Sequence, residues 1–257
     1  MTDSPAFTGT GAEDDPLTFT LRESAPDPVD VAVASMAKSA KEHSAAFSAT
    51  ADLSANLPAD VREIVTQASI RIGEMLSTAY DARAKADSFL NDVRLYPEGR
   101  KVLAGEAIKA AADKVAETSG QADAQIEVAA AQTYEAARPR VASDAAMTAR
   151  ADLAMLTQRH VGNAGALVAT LKRLAQRSDS VGALVADTAY LGDFLDAYGA
   201  DPQLREAAMT VVRAEVIKAA ALSGDPKRAA AGKTNLALNE LRKARIAAQS
   251  FTRHVLG

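Results

Sequence analysis

Gly232-Lys233-Thr234 has the residue types that close a phosphate-binding loop: a glycine for close backbone approach, a lysine for phosphate oxygens and a hydroxyl for a metal ion. That loop also needs a glycine five positions earlier, where Lys227 stands, and a preceding strand, which the surrounding pattern does not offer. Histidine supplies general-base or metal chemistry, yet His43, His160 and His254 are far apart, with no carboxylate or second histidine at ligand spacing. The serines form no Gly-x-Ser-x-Gly elbow. Asp14 and Asp15 are paired carboxylates, but acid–base work needs rigid geometry and their neighbourhood lacks the apolar residues to provide it. The expectation is a non-enzyme with no catalytic residue, no metal site, no cofactor and no small-molecule substrate.

The elements that would position such residues are easier to read. Val61, Val65, Ala68, Ile72, Met75, Ala79, Ala82, Ala86, Phe89 and Val93 are spaced alternately by four and three, which keeps one helical stripe facing a partner helix. Tyr96-Pro97-Glu98-Gly99 ends this helix, and a second stripe follows through Ile108, Ala111, Val115, Thr118 and Ala122. Ile126, Ala129 and Thr133 continue it only after a register shift. The two helices, about 59–95 and 100–137, are expected to fold back on each other as an antiparallel hairpin. Asp30 is placed to cap an earlier helix that runs to about Leu53. A fourth helix carries Val141, Leu153, Leu156, Leu167, Leu171 and Leu174 and is loosened near Gly162 and Gly165. Shorter helices are expected over 180–198, 201–222 and 234–256, with Asp201-Pro202 and Asp225-Pro226 as capping pairs.

Composition decides what kind of protein these helices build. Of 257 residues 59 are alanine, Trp is absent and only six Phe and five Tyr occur, so large apolar side chains are scarce. Alanine favours helix and close helix approach but stabilises little on burial. The reading is all-α: a long antiparallel helical hairpin or coiled-coil-like bundle over 29–177, a smaller helical subdomain over 178–257, and an extended, flexible acidic arm over 1–28. Within the arm, Leu17-Thr18-Phe19-Thr20-Leu21 alternates like a short strand.

A net charge of −4 argues against a general nucleic-acid binder. The charge is uneven, because the arm holds six acidic residues against Arg22 whereas 227–257 holds seven basic residues against Glu240. Head and tail could pair within a molecule, between copies or with other proteins. The absence of cysteine fits a cytosolic chain or a particle assembled in the cytosol, and no secretory signal or membrane span is visible. The residues expected to make protein contacts are Val61, Val65, Ile72, Met75 and Phe89 on the seam, and Arg242, Lys243, Arg245 and Arg253 on the terminal helix.

Across Leu90-Asn91-Asp92-Val93-Arg94-Leu95-Tyr96-Pro97-Glu98-Gly99-Arg100 the chain resembles Ala-rich helical proteins encoded among the virion structural genes of tailed phages of actinobacteria. Those proteins are similar in having a long helix, a turn of this type and a second Ala/Glu/Lys-rich helix. The resemblance implies a non-enzymatic particle component: a head accessory or assembly protein, or part of the head-to-tail region. It would be made in the host cytoplasm and located in the virion, with other virion proteins and copies of itself as partners. A capsid scaffold that leaves the mature particle is one alternative. A bacterial cytoplasmic coat protein resembling phasins, with Ala-rich helices on a storage granule, is another.

Overall fold

The computed structural model describes residues 6–8, 18–20, 28–140, 143–160 and 163–257. Two three-residue strands, β1 (Ala6–Thr8) and β2 (Thr18–Thr20), pair antiparallel with Phe7 opposite Phe19. The strand expected around Phe19 is therefore matched within the chain itself, and the remainder of the expected arm lies outside the described residues. Apart from that ladder the fold is all-α.

Four long helices make the larger core: α1 (Pro28–Thr50), α2 (Ala59–Asn91), α3 (Pro97–Ala137) and, after a gap of some ninety residues, α9 (Pro226–Leu256). Asp30 sits in the first turn of α1 rather than capping it, where its charge still complements the helix dipole. The α2–α3 pair is the expected antiparallel hairpin. The turn is fixed by Asp92, whose carboxylate accepts from the Arg94 backbone N–H at 3.0 Å and from its guanidinium at 2.9 and 2.8 Å. The Arg100 Nε donates to the Leu95 carbonyl at 2.8 Å, and Pro97 occupies the first turn of α3.

The seam of α2 is buried from Val61 to Ala86, as its spacing requires, and it stops there: Phe89 is half-buried and Val93 lies beyond the helix, 83% exposed. On α3 the stripe runs through Ala111, Val115, Ser119, Ala122, Ile126, Ala129 and Thr133, so Ser119 and not Thr118 faces inward and the change of spacing falls earlier than expected. Buried Thr133 hands its hydroxyl proton to the Ala129 carbonyl at 2.6 Å, and its oxygen accepts from the Asn235 side-chain amide of α9 at 2.7 Å.

The remaining helices are α4 (Ser143–Thr157), followed by a 3-10 turn at Gln158–His160, then α5 (Ala164–Arg177), α6 (Asp179–Ala186), α7 (Thr188–Ala197) and α8 (Pro202–Ala221). They close around a second core of Leu153, Leu171, Val185, Leu191, Leu195 and Val212. The expected single helix through 141–174 is two, and 180–198 is also two because Asp187 stops α6 and caps α7, accepting from the N–H groups of Ala189 and Tyr190. Tyr134 joins the cores: its hydroxyl donates to the Ala186 carbonyl at 2.9 Å and the Arg213 guanidinium lies 4.6 Å from its ring centre.

The division at residue 178 is corrected by these two cores. Residues 143–221 form the small body, and α9 returns to the large one because its stripe of Leu238, Leu241, Ala244, Ala248 and Phe251 fills the space between α1, α2 and α3. Its start is also earlier than expected. Asp225 caps it and Pro226 opens it, so Gly232 lies inside the helix rather than before it. A Cβ at Gly232 would strike the Ala221 backbone nitrogen and come within 2.9 Å of the Ala220 carbonyl carbon, so glycine is what lets α8 and α9 cross.

Candidate interaction surfaces

The position of Gly232 disposes of the loop-like triplet. Lys233 and Thr234 continue a helix, and the Thr234 hydroxyl is spent on the Asp52 carbonyl at 3.1 Å, which ties α9 to the end of α1. The three histidines are likewise separate. His43 Nδ1 is 2.6 Å from Glu240 Oε2 across α1 and α9, His160 Nε2 is 3.0 Å from the Thr170 hydroxyl, and His254 is exposed near the end of α9. Among the described residues no group of three His, Cys, Asp or Glu could hold a metal ion, and Asp14 and Asp15 lie outside them.

Four of the five seam residues expected to meet another molecule are used internally, and the fifth, Phe89, is half-buried beyond the end of the buried stripe. Val61, Val65, Ile72 and Met75 are buried, Val61 in the small cluster with Leu57, Ala137 and Ala230, the other three in the main bundle core. They hold the fold together and present nothing to a partner.

Three of the four cations expected to make contacts from α9 have acidic partners within the chain. Arg242 donates to Glu127 at 3.1 and 2.9 Å, and Lys243 to Glu240 at 2.7 Å. Arg245 Nε stands 3.0 Å from Asp123, close enough for charge attraction, yet it makes no aligned hydrogen bond. Two of the four cations thus face acids of α3, and one faces its own helix. Arg253 remains exposed, on the rim of a groove where Leu256 meets Ala112, Val115 and Ala116 of α3.

Two polar clusters escaped the sequence reading. Glu215 is only 3% exposed, on the inward face of α8 with Val212 and Val216, and it accepts from Lys218 at 3.0 Å and from Gln176, with Lys172 3.4 Å away. Burial pushes its carboxyl up, but the bonds from Lys218, Gln176 and Lys172 together hold it below the ordinary range. Its signal was a charged residue at an apolar-stripe position, with Lys172 and Gln176 one turn apart on α5. The second cluster lines a cavity of about 700 Å³ at the foot of the bundle, with Arg138, Arg140, Lys227 and Arg228 against Asp179 and Asp225. Arg228 is committed to Asp179 at 2.8 Å and to the Ala137 carbonyl, and Arg138 to Glu135 at 3.0 Å, so this ring of charge chiefly locks α3, α6 and α9 together.

The opposite end of the bundle is different. α9 ends level with Ala112, and Tyr80 of α2 meets Phe251 of α9 with ring centres 4.8 Å apart. Beyond that level the hairpin continues, among the described helices, as two helices alone, and residues 97–111 of α3 add about 22 Å of length. Within 82–111 the buried residues are Ala82, Ala86, Ala104 and Ala111. Every larger apolar side chain there is at least partly open to solvent, with Leu90 45%, Val93 83%, Tyr96 85% and Val102 57% exposed. The stalk thus buries only alanines fully and carries Leu90, Val93, Tyr96 and Val102 outward.

No helix among the described residues is long and apolar enough to cross a membrane. No protein-family model, no curated protein and no solved structure matches the chain.

Proposed function

We propose that this chain is a non-enzymatic structural or assembly protein of a tailed-phage virion, a head accessory or head-to-tail component that works through helix contacts. The observation that carries the reading is the stalk. Its tip is the Leu90–Arg100 segment, and it projects exposed Leu, Val and Tyr side chains beyond a bundle that satisfies its own seam. Exposed apolar groups gathered at one end of a frame suit a protein that docks against neighbours. The two-core body gives the stalk a rigid base, because Tyr134, Arg228 and the Gly232 crossing link the bundle to the small body.

The granule-coat alternative draws less support. A coat of that kind needs continuous apolar helix faces free to lie on a surface, and here the stripes of α2, α3 and α9 are buried against one another. The scaffold alternative differs from the proposal only in when the chain leaves the particle. Protein mass spectrometry of purified assembly intermediates and mature particles tests all three. Recovery with capsid and tail proteins supports a virion role. Recovery from intermediates alone would make it a scaffold, and enrichment on granules with no particle association would overturn the reading.

A further inference from the structure

We propose that copies of this chain join head to tail, the acidic connection of one copy's β1–β2 ladder seating in the cationic cavity at the foot of the next. Such joining rests on the reading of the chain as a component that works through contacts. It is measured on the purified chain, so its failure is distinguishable from failure of the virion reading.

The cavity at the foot carries more positive charge than its own acids neutralise. Four cations, Arg138, Arg140, Lys227 and Arg228, line it against two carboxylates, Asp179 and Asp225. Arg228 is paired with Asp179 at 2.8 Å and Arg138 with Glu135 at 3.0 Å, while the Asp225 carboxylate caps α9 by accepting from the Lys227 backbone N–H at 2.9 Å. The side chains of Arg140 and Lys227 are exposed and have no acidic partner among the described residues. In a chain of net charge −4, two free cations brought to one cavity from the end of α3 and the start of α9 form a complement for carboxylates. The same chain supplies those carboxylates in one place. The last pair of the ladder is Thr8 opposite Thr18, so residues 9–17 are its connection, and they hold Glu13, Asp14 and Asp15 with no basic residue.

Reach assigns the two halves of the contact to different copies. α1 and α9 run antiparallel with His43 against Glu240, so Pro28, fifteen residues before His43, stands level with Val255, fifteen after Glu240. The foot at Asp225 is thirty helical residues below that level, about 45 Å. Fourteen residues separate Pro28 from Asp14, and fully extended they span at most about 46–50 Å. To reach its own foot the connection would have to be drawn almost straight down the whole bundle, at the cost of the conformational freedom of every residue in the tether. A neighbour's foot needs no such extension. A contact between two different patches is heterologous, so it builds open chains, or a ring where the rotation closes.

The test is sedimentation velocity of the full chain over about 1–100 μM, the range in which a micromolar contact dissociates, in about 0.05 and 0.5 M salt. Oligomers are expected at low salt and are expected to fall apart at high salt, where screening leaves charges a range of only a few ångströms. Arg140→Glu with Lys227→Glu, and separately Glu13→Gln with Asp14→Asn and Asp15→Asn, should each weaken association at least about tenfold at unchanged helicity. Mixing the two variants gives the sharpest readout. One keeps its acidic connection and the other its foot, so together they should form a 1:1 dimer that grows no further. A wild-type chain that stays monomeric at low salt, either variant associating like the wild type, or a mixture that yields no 1:1 dimer would each overturn the proposal.

Discussion

Gly232→Ala adds one methyl group at the point where α9 crosses the end of α8, and two effects of opposite sign compete. In an exposed helix interior the change stabilises by about 1 kcal/mol, because alanine has the higher helix propensity. Here the new Cβ would approach the Ala220 carbonyl carbon to 2.9 Å, and backbone atoms cannot rotate aside. The Ala221 backbone nitrogen would be nearer still, so restoring ordinary contact means parting the helices by roughly an ångström along a seam where Ala220, Ala230 and Ala231 are fully buried. Overpacking against backbone falls in the upper part of the usual range, about 2–3 kcal/mol, which outweighs the propensity gain, so a net loss of about 1–2 kcal/mol is expected. At roughly 2–4 °C per kcal/mol for a chain of this size the Tm falls by about 2–8 °C. Gly120→Ala is the matched control: it lies mid-α3, a Cβ there meets nothing within 4 Å, and a gain of about 0.5–1 kcal/mol is expected. Thermal and urea unfolding followed by circular dichroism read both. If Gly232→Ala stabilises as Gly120→Ala does, the tight crossing is refuted.

Ile72→Asp places a carboxylate in the bundle core and should cost about 4 kcal/mol or more, visible as lost helicity of the isolated chain; intact helicity with failed assembly would instead return the seam to an intermolecular role. Tyr134→Phe removes the buried hydrogen bond to Ala186 and leaves that carbonyl unpaired, for a loss of about 1–2 kcal/mol, and differential scanning calorimetry should show the small body loosening first. The Glu215 carboxyl is held below its unfolded value, so its stabilisation is present at neutral pH and is lost as pH falls through the ordinary carboxylate range and below. Glu215→Gln should therefore flatten the acid limb of a pH–stability profile, and an unchanged limb would show that the carboxylate is not held in that way. Asp92, drawn down to about 2 by the hydrogen bonds and charge of Arg94, should keep the tip turn ordered at pH 4 by hydrogen exchange, in contrast to Asp92→Ala.

The helices and the hairpin were legible because their causes are local. The spacing from Val61 to Ala86 fixes which face of α2 is buried, Tyr96-Pro97 ends and restarts the helix, and Asp201-Pro202 and Asp225-Pro226 cap where that chemistry predicts. What was not legible depends on partners distant in sequence. An apolar stripe does not say which helix it will meet, so the return of α9 to a bundle built from residues 28–137 is invisible in its own residues. Gly232 reads as the glycine of a phosphate-loop remnant, whereas its role is set by the backbone of Ala220 and Ala221. Arg242 and Arg245 read as a free basic patch because Glu127 and Asp123 lie more than a hundred residues away. The stalk escaped notice for a related reason: the seam is regular through Ala86, and only the end of α9 level with Ala112 shows where a third helix ceases to cover it.

The central claim is that the chain is a particle component that acts through contacts. Quantitative protein mass spectrometry of phage particles purified at successive stages of assembly tests it most directly. The account predicts the chain at a fixed ratio to capsid or tail proteins in at least one stage, and its absence from every stage would contradict it.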